Sequence, residues 1–354
     1  MIKVLIVEDS VVVQEFLKYI LNSDPAINVV GIANNGEEAI ELVKEKKPDI
    51  ITMDIHMPKM DGYETTKRIM ETIPTPIVIV SASARVKEAS YTFRLLEAGA
   101  LAIASRPPAI DNPGHKGAAD ELIQIVKLMS EVKVVKQIQT SKSMTGKIPA
   151  AETIKGEHNI QLIAIGASTG GPQVLQKMLS RFPQDLPVPI MIVQHMAVGF
   201  IEGFADWLAG SILLPVHIGT PGQELLPGHC YIAPSGFHMG VRKDLKIELI
   251  HDESEKGLQP SVAYLFHSVA SGFGPRAAGV LLTGMGRDGA MELKEMKDKG
   301  AVTFIQDKES CIVFGMPGEA EKLGAATYIL PPEQIADSLS ALVKRKNGEP
   351  NENK

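Results

Sequence analysis

Apolar and polar positions in this 354-residue chain fall into two long blocks of alternating strand-like and helix-like segments. In the first block, apolar runs of strand length occur at Lys3–Val7, Val29–Ala33, Ile50–Asp54, Ile77–Val80 and Leu101–Ala104, separated by amphipathic stretches. Val13, Phe16, Leu17, Ile20 and Leu21 recur at i, i+3, i+4 spacing and predict a helix with one apolar face. Ser23-Asp24-Pro25 ends it, since proline cannot continue a helix. Five β/α repeats over residues 1–126 predict a small doubly wound parallel sheet, whose functional groups belong at the carboxyl ends of its strands.

Over residues 127–157 the periodicity dissolves, and the polar run Thr140-Ser141-Lys142-Ser143-Met144-Thr145-Gly146-Lys147 predicts an interdomain linker, entered by a helix running on over Leu122–Val135. Strand candidates return at Gln161–Ile165, Pro189–Val193, His229–Ala233, Lys246–Ile250, Ala278–Leu282 and Ala301–Ile305. Residues 158–346 are therefore expected to form a second, larger doubly wound α/β domain. The polar stretch 347–354 is expected to be a disordered tail.

Composition narrows the class. Hydrophobic residues make up 44% and charged residues 22%, as in an ordinary soluble globular protein. A net charge of −6 argues against nucleic acid as the main partner, because phosphate binding needs a basic face. Cys230 and Cys311 stand alone in sequence, with neither a metal-type pair nor a disulfide framework. The apolar start Met1–Val7 soon meets Glu8-Asp9, too short for a signal-peptide core. No apolar run reaches the roughly 20 residues needed to cross a bilayer, so a cytoplasmic protein without direct membrane insertion is expected.

The first block carries acids at strand ends. Glu8 and Asp9 follow the first strand and Asp54 closes the third, so adjacent parallel strands bring three carboxylates to one rim. Clustered like charges invite a divalent cation, and an all-oxygen site with open positions suits Mg²⁺. A carboxylate beside such an ion is a candidate nucleophile toward a phosphoryl group. Ser81, after the fourth strand, is placed to hydrogen-bond the new phosphate oxygens, and Arg106, after the fifth, to pair with them. The alternative is that these carboxylates only cap nearby helices.

The segments Ile6-Val7-Glu8-Asp9-Ser10, Met53-Asp54-Ile55-His56-Met57-Pro58 and Asp61-Gly62 resemble the receiver domain of two-component response regulators. That resemblance implies a (βα)5 receiver fold over residues 1–126. It also implies Asp54 as phosphoacceptor for a histidine kinase, Mg²⁺ held by Glu8, Asp9 and Asp54, and phosphate sensing by Ser81 and Arg106. The chain departs from the family in carrying Arg106 where lysine is usual, and Ile103 where an aromatic residue is frequent. Arginine is a planar fork rather than a point charge.

The second block opens with Ala164-Ile165-Gly166-Ala167-Ser168-Thr169-Gly170-Gly171-Pro172, a serine among glycines where a strand hands over to a helix. Such a turn suits an exposed nucleophilic serine with backbone N–H groups converging on an oxyanion. It equally suits a turn cradling a nucleotide phosphate. A nucleophilic serine needs a base and an orienting acid. Of His195, His217, His229, His238, His251 and His267, His195 follows the buried-looking strand Ile190–Gln194 and so stands at the rim expected for Ser168, although a histidine in general is more often a polar loop residue. Asp288, in Leu282-Thr283-Gly284-Met285-Gly286-Arg287-Asp288-Gly289, also follows an apolar strand, although a Gly-Asp-Gly setting is often a plain turn. The order Ser, His, Asp differs from the α/β-hydrolase order, so a G-x-S-x-G match alone does not assign that fold.

Together with Val193-Gln194-His195-Met196, Tyr231-Ile232-Ala233-Pro234, Pro260-Ser261-Val262 and Ser310–Pro317, these segments resemble the catalytic domain of chemotaxis protein-glutamate methylesterases, the CheB family. The resemblance implies Ser168 as nucleophile, His195 as general base and acid, and Asp288 as orienter of His195. Backbone N–H groups of Thr169 and Met285 become oxyanion-hole candidates, and the esterase site needs no cofactor. It implies hydrolysis of glutamate methyl esters on the cytoplasmic helices of methyl-accepting chemotaxis receptors, with deamidation of receptor glutamines at the same site. A chemotaxis histidine kinase is the implied phosphodonor, and the receiver is expected to shield the serine cleft until Asp54 is phosphorylated. Leu258-Gln259 stand where basic residues are frequent before the proline, and Ala263 where an acid is common. The competing readings are a receiver joined to a nucleotide-binding regulatory domain, which leaves His195 and Asp288 without a role, and a receiver-scaffold with a decayed esterase.

Overall fold

The computed structural model describes residues 1–81, 86–132, 134, 159–251 and 259–343, with only the backbone of 86–90. The tail 347–354 and most of the expected linker lie outside the described residues. Two compact units emerge, one drawn mainly from Met1–Met144 and the other mainly from Thr145–Lys354.

The first unit runs β1 (Ile2–Val7), α1 (Val11–Leu21), β2 (Ile27–Ala33), α2 (Gly36–Lys46), β3 (Ile50–Met53), α3 (Gly62–Thr72), β4 (Ile77–Ser81), α4 (Val86–Glu97), β5 (Ala102–Ser105) and α5 (His115–Ser130). Its sheet has the order β2-β1-β3-β4-β5, every pairing parallel. Val4–Val7 of β1 and all of β3 and β4 are buried, as expected for strands covered on both faces. On α1, Leu17, Ile20 and Leu21 are buried, whereas Val13 and Phe16 remain half-buried. Helix α5 runs on through residue 126 to Ser130, its buried face extended by Val126 and Met129. Chain order reverses between β1 and β3, which is where the three acids stand.

The second unit runs β6 (Leu162–Ala167), α6 (Gly171–Leu179), β7 (Ile190–Gln194), α7 (Ile201–Ala209), β8 (Val216–Ile218), β9 (Cys230–Ile232), β10 (His238–Val241), β11 (Ile247–Ile250), α8 (Val262–Gly272), β12 (Ala277–Leu281), α9 (Ala290–Asp298), β13 (Val302–Gln306), α10 (Met316–Lys322), β14 (Tyr328–Leu330) and α11 (Pro332–Val343). Its seven-stranded sheet has the order β14-β13-β12-β6-β7-β9-β8, again all parallel. The candidate Lys246–Ile250 is indeed a strand, but it pairs antiparallel with β10 in a separate two-stranded ribbon. One core joins the ribbon, α8 and the main sheet through Met239, Ile247, Leu265, Phe266, Met191 and Tyr231. The chain leaves β6 toward β7 on one side and returns to β12 on the other, so the switch point lies at the carboxyl end of β6.

Candidate active site

Ser168 is the first residue beyond β6, and its N–H donates to Thr283 O at 3.0 Å. His195 is the first residue beyond the adjacent β7, its N–H donating to Ala167 O at 2.9 Å. Asp288 lies in the loop after β12, on the other side of β6. Residues 27 and 93 positions apart in sequence thus meet at one rim because three neighbouring strands end there.

The turn that carries Ser168 is held tightly. Gly170 takes φ +80°, a left-handed conformation that glycine adopts without penalty, and a Cβ there would lie 2.8 Å from Ile312 Cβ. Gly171 N–H then donates to Ser168 O at 2.8 Å and opens α6 with Pro172 in its first turn. Across the rim, a Cβ on Gly284 would lie 2.7 Å from Ser168 Cβ, so glycine alone permits the β12 loop this close.

His195 and Asp288 are joined directly. His195 Nε2 lies 2.8 Å from Asp288 Oδ2, with the two side chains only 8% and 16% exposed. Burial alone pushes the Asp288 carboxyl up, but hydrogen bonds from His195, Ala263 N–H and Val262 N–H outweigh it and hold the group below its ordinary 3.8. An ionised Asp288 accepts the Nε2 proton, which leaves Nδ1 as the basic ring nitrogen. Among the described residues, Ser168 Oγ makes no hydrogen bond, to His195 or to any other group. The Thr169 and Met285 N–H groups have no acceptor among the described residues, so both are available to an oxyanion.

The sequence reading missed the residues that brace this rim. Gln194 Nε2 donates at 2.8 Å both to Ser168 O and to His195 O, tying the two loops together. Thr283 Oγ1 donates to Thr169 O at 3.0 Å and accepts Val313 N–H at 2.9 Å, while Thr283 N–H donates to Gln306 Oε1 at 2.8 Å. Polar residues at or just beyond the ends of apolar strands were the only available signal. Burial pushes the thiols of Cys230 and Cys311 up to about 12, so neither is a competing nucleophile near neutral pH.

In the first unit, ligand oxygens of Glu8, Asp9 and Asp54 lie within 4.8 Å of one another. Asp54 N–H donates to Val7 O at 2.8 Å, which sets its side chain beside those following β1. Burial, with the neighbouring Asp54 charge, pushes the Glu8 carboxyl up to about 7. Asp54 is also raised, chiefly by burial, against the lowering by the Ile55 N–H, Arg106 and the His56 N–H. Arg106 Nη2 sits among these acids, 3.0 Å from Glu8 Oε2 and 3.4 Å from Asp54 Oδ1. Hard oxygens, crowded and partly dehydrated, fit a divalent cation such as Mg²⁺. Arg106 Nε is buried without an acceptor, and Arg106 N–H donates to O of buried Ser81 at 2.9 Å. Ile103 is half-buried on β5.

The family models agree with both units. Residues 4–112 match the response regulator receiver domain and residues 163–339 match CheB methylesterase. Fold and matches together define a response regulator with a doubly wound α/β output domain. A relative from Nitrosospira multiformis, named protein-glutamate methylesterase/protein-glutamine glutaminase, is 52% identical over 351 residues and covers 98% of each chain. One of the same name, numbered 1, from Syntrophus aciditrophicus is 53% identical over 345 residues, covering 97% of this chain and 98% of the relative. The crystal structure of the Thermotoga maritima CheB methylesterase catalytic domain matches with a TM-score of 0.50 and 35% identity, over 52% of this chain and 99% of that one. This chain belongs to the CheB methylesterase family. Among the described residues, no helix is long and apolar enough to cross a membrane.

Proposed function

We propose that the protein is a phosphorylation-regulated serine esterase that hydrolyses glutamate methyl esters on chemoreceptors and deamidates receptor glutamines. The observation that carries the reading is the 2.8 Å His195–Asp288 hydrogen bond at the rim that also presents Ser168. A phosphate-binding turn has no use for that pair.

In this mechanism Ser168 Oγ attacks the ester carbonyl carbon as His195 Nδ1 takes its proton. The tetrahedral oxyanion is received by the Thr169 and Met285 N–H groups, and the imidazolium stays paired with ionised Asp288. Collapse breaks the acyl–oxygen bond, and the proton on Nδ1 leaves with methanol, giving a glutamyl-serine ester. Water, deprotonated by His195, then attacks that ester and releases glutamate and free serine. With glutamine as substrate, ammonia leaves in place of methanol, so one site serves both reactions. The esterase site calls for no cofactor.

The receiver unit is the regulatory half of the proposal. Asp54 accepts a phosphoryl group from a chemotaxis histidine kinase. Glu8, Asp9 and Asp54 would hold Mg²⁺, which neutralises charge on the entering phosphoryl oxygens. Arg106, with Nε lacking an acceptor, and Ser81 are the candidates for sensing the phosphate. The receptor substrate and kinase place the protein on the cytoplasmic side of the membrane.

Methanol and ammonia release from receptor preparations, comparing wild type with Ser168→Ala, tests the esterase reading. The variant is expected to lose more than about 10³-fold in kcat for both products. Equal release by the two proteins would overturn it.

A further inference from the structure

Asp288 is gripped from four directions, and His195 supplies only one. Its Oδ2 accepts His195 Nε2–H at 2.8 Å and Val262 N–H at 2.7 Å. Its Oδ1 accepts Ala263 N–H at 3.0 Å and the Ser261 hydroxyl at 3.1 Å. Val262 and Ala263 are the first two residues of α8, and Ser261 is its N-cap. The carboxylate therefore sits on the positive end of α8, among N–H groups that have no partner within the helix.

The Ser261 hydroxyl faces both ways. Its oxygen accepts Tyr264 N–H at 3.3 Å, the usual duty of an N-cap, while its proton goes to Asp288. A carboxylate turns readily about its Cβ–Cγ bond. With Oδ1 held by Ser261 and Ala263 and Oδ2 held by Val262, the carboxylate is set so that Oδ2 also meets His195 Nε2, and that contact fixes which ring nitrogen is free for the serine proton. Of the four donors, Ser261 is the one that a side-chain substitution removes while leaving the α8 backbone and the His195 ring in place. The charged neighbour Glu292, one turn along the start of α9, faces Asp288 without bonding it.

We infer that Ser261 is a positioning residue of the esterase, acting through Asp288 on His195, and distinct from its part in capping α8. The inference rests on the Ser168, His195, Asp288 reading above.

Three substitutions in the full-length chain separate the two duties, read as methanol release kinetics and thermal midpoint. Ser261→Ala removes both the cap and the donor. Ser261→Thr keeps both. Ser261→Asp keeps a strong N-cap acceptor but offers no proton and sets a second carboxylate beside Asp288. Ser261→Ala is expected to lower kcat about 10- to 100-fold, the range for one hydrogen bond to a charged group, while KM moves less than about threefold. Ser261→Thr should stay within about threefold of wild type in kcat and keep the thermal midpoint, and Ser261→Asp, whose added carboxylate repels Asp288, should lose at least as much kcat as the alanine variant although the cap acceptor is retained. Wild-type kcat in Ser261→Asp, or in Ser261→Ala, would reduce the hydroxyl to a helix cap and overturn the inference. Ser168→Ala and His195→Ala run alongside. If they retain turnover, the triad reading itself fails; if they are inactive while Ser261→Ala and Ser261→Asp are fully active, only the role of Ser261 fails.

Discussion

The charge on Asp288 decides what His195 can do. A neutral acid would accept Nε2–H only weakly and could donate its own proton to Nε2 instead, so the tautomer that leaves Nδ1 basic toward Ser168 would no longer be enforced. Because donors from His195 and α8 hold Asp288 below its ordinary 3.8, it stays ionised throughout the neutral range. Asp288→Asn is therefore expected to lower kcat on the order of 10³- to 10⁴-fold at every pH from 6 to 9, as for removal of the orienting acid in other triads, rather than to shift one limb of the profile. A loss confined to low pH would contradict this. The same depression contributes stability that is present above pH 3.8 and lost as pH falls through the lower folded value, so wild type and variant should converge in stability under strong acid. Ser168, His195 and Asp288 were legible in the sequence because each directly follows, or lies within one loop of, an apolar run. Ser261, Gln194 and Thr283 lie in the same motif segments, but their bracing roles were not legible, since their hydrogen bonds join segments up to 114 residues apart.

At the scale of elements, the site depends on how closely loops after β6 and β12 approach. The Gly284 backbone lies where a Cβ would come within 2.4 Å of Met316 Sδ and 2.7 Å of Ser168 Cβ. Gly284→Ala is expected to cost about 1–3 kcal/mol in denaturant unfolding and to cut kcat at least about 10-fold, because relief requires moving Ser168 or α10. Gly272→Ala is the control, since its Cβ would meet nothing nearer than Lys243 Cγ at 3.9 Å. Normal turnover in Gly284→Ala would show that the rim tolerates displacement. The long apolar strands of both sheets could be read from sequence because burial on two faces leaves continuous Val, Ile and Leu runs. The three-residue strands β8 and β14 could not: both are only partly buried edges of the sheet, and three residues are too short a run to stand out. Strand β10 escaped because Gly240 and His238 break its apolar pattern, and because the turn that pairs it with β11 lacks the usual glycine: Leu245, whose N–H donates to Arg242 O at 3.0 Å, takes the left-handed φ of +58° there.

The whole molecule joins two doubly wound units, each with its candidate site at the reversal of its strand order. That placement follows from topology and was foreseeable once the β/α alternation was recognised. Coupling between the units is a different matter, because it depends on a population shift that no local pattern encodes. Under the proposed regulation, a phosphoryl group at Asp54 replaces the contacts that Arg106 Nη2 now makes with Glu8 and Asp54 and gives its Nε an acceptor. The most direct test is the rate of methanol release from methylated receptor membranes by wild type, Asp54→Asn and Ser168→Ala, with and without a small-molecule phosphodonor and Mg²⁺. Release should require Ser168 and rise at least about 10-fold with phosphodonor in wild type, a shift of 1.4 kcal/mol or more in the active population. That rise should vanish in Asp54→Asn or with EDTA, leaving basal release intact. Serine-dependent release that ignores phosphodonor, Asp54 and Mg²⁺ would contradict the account.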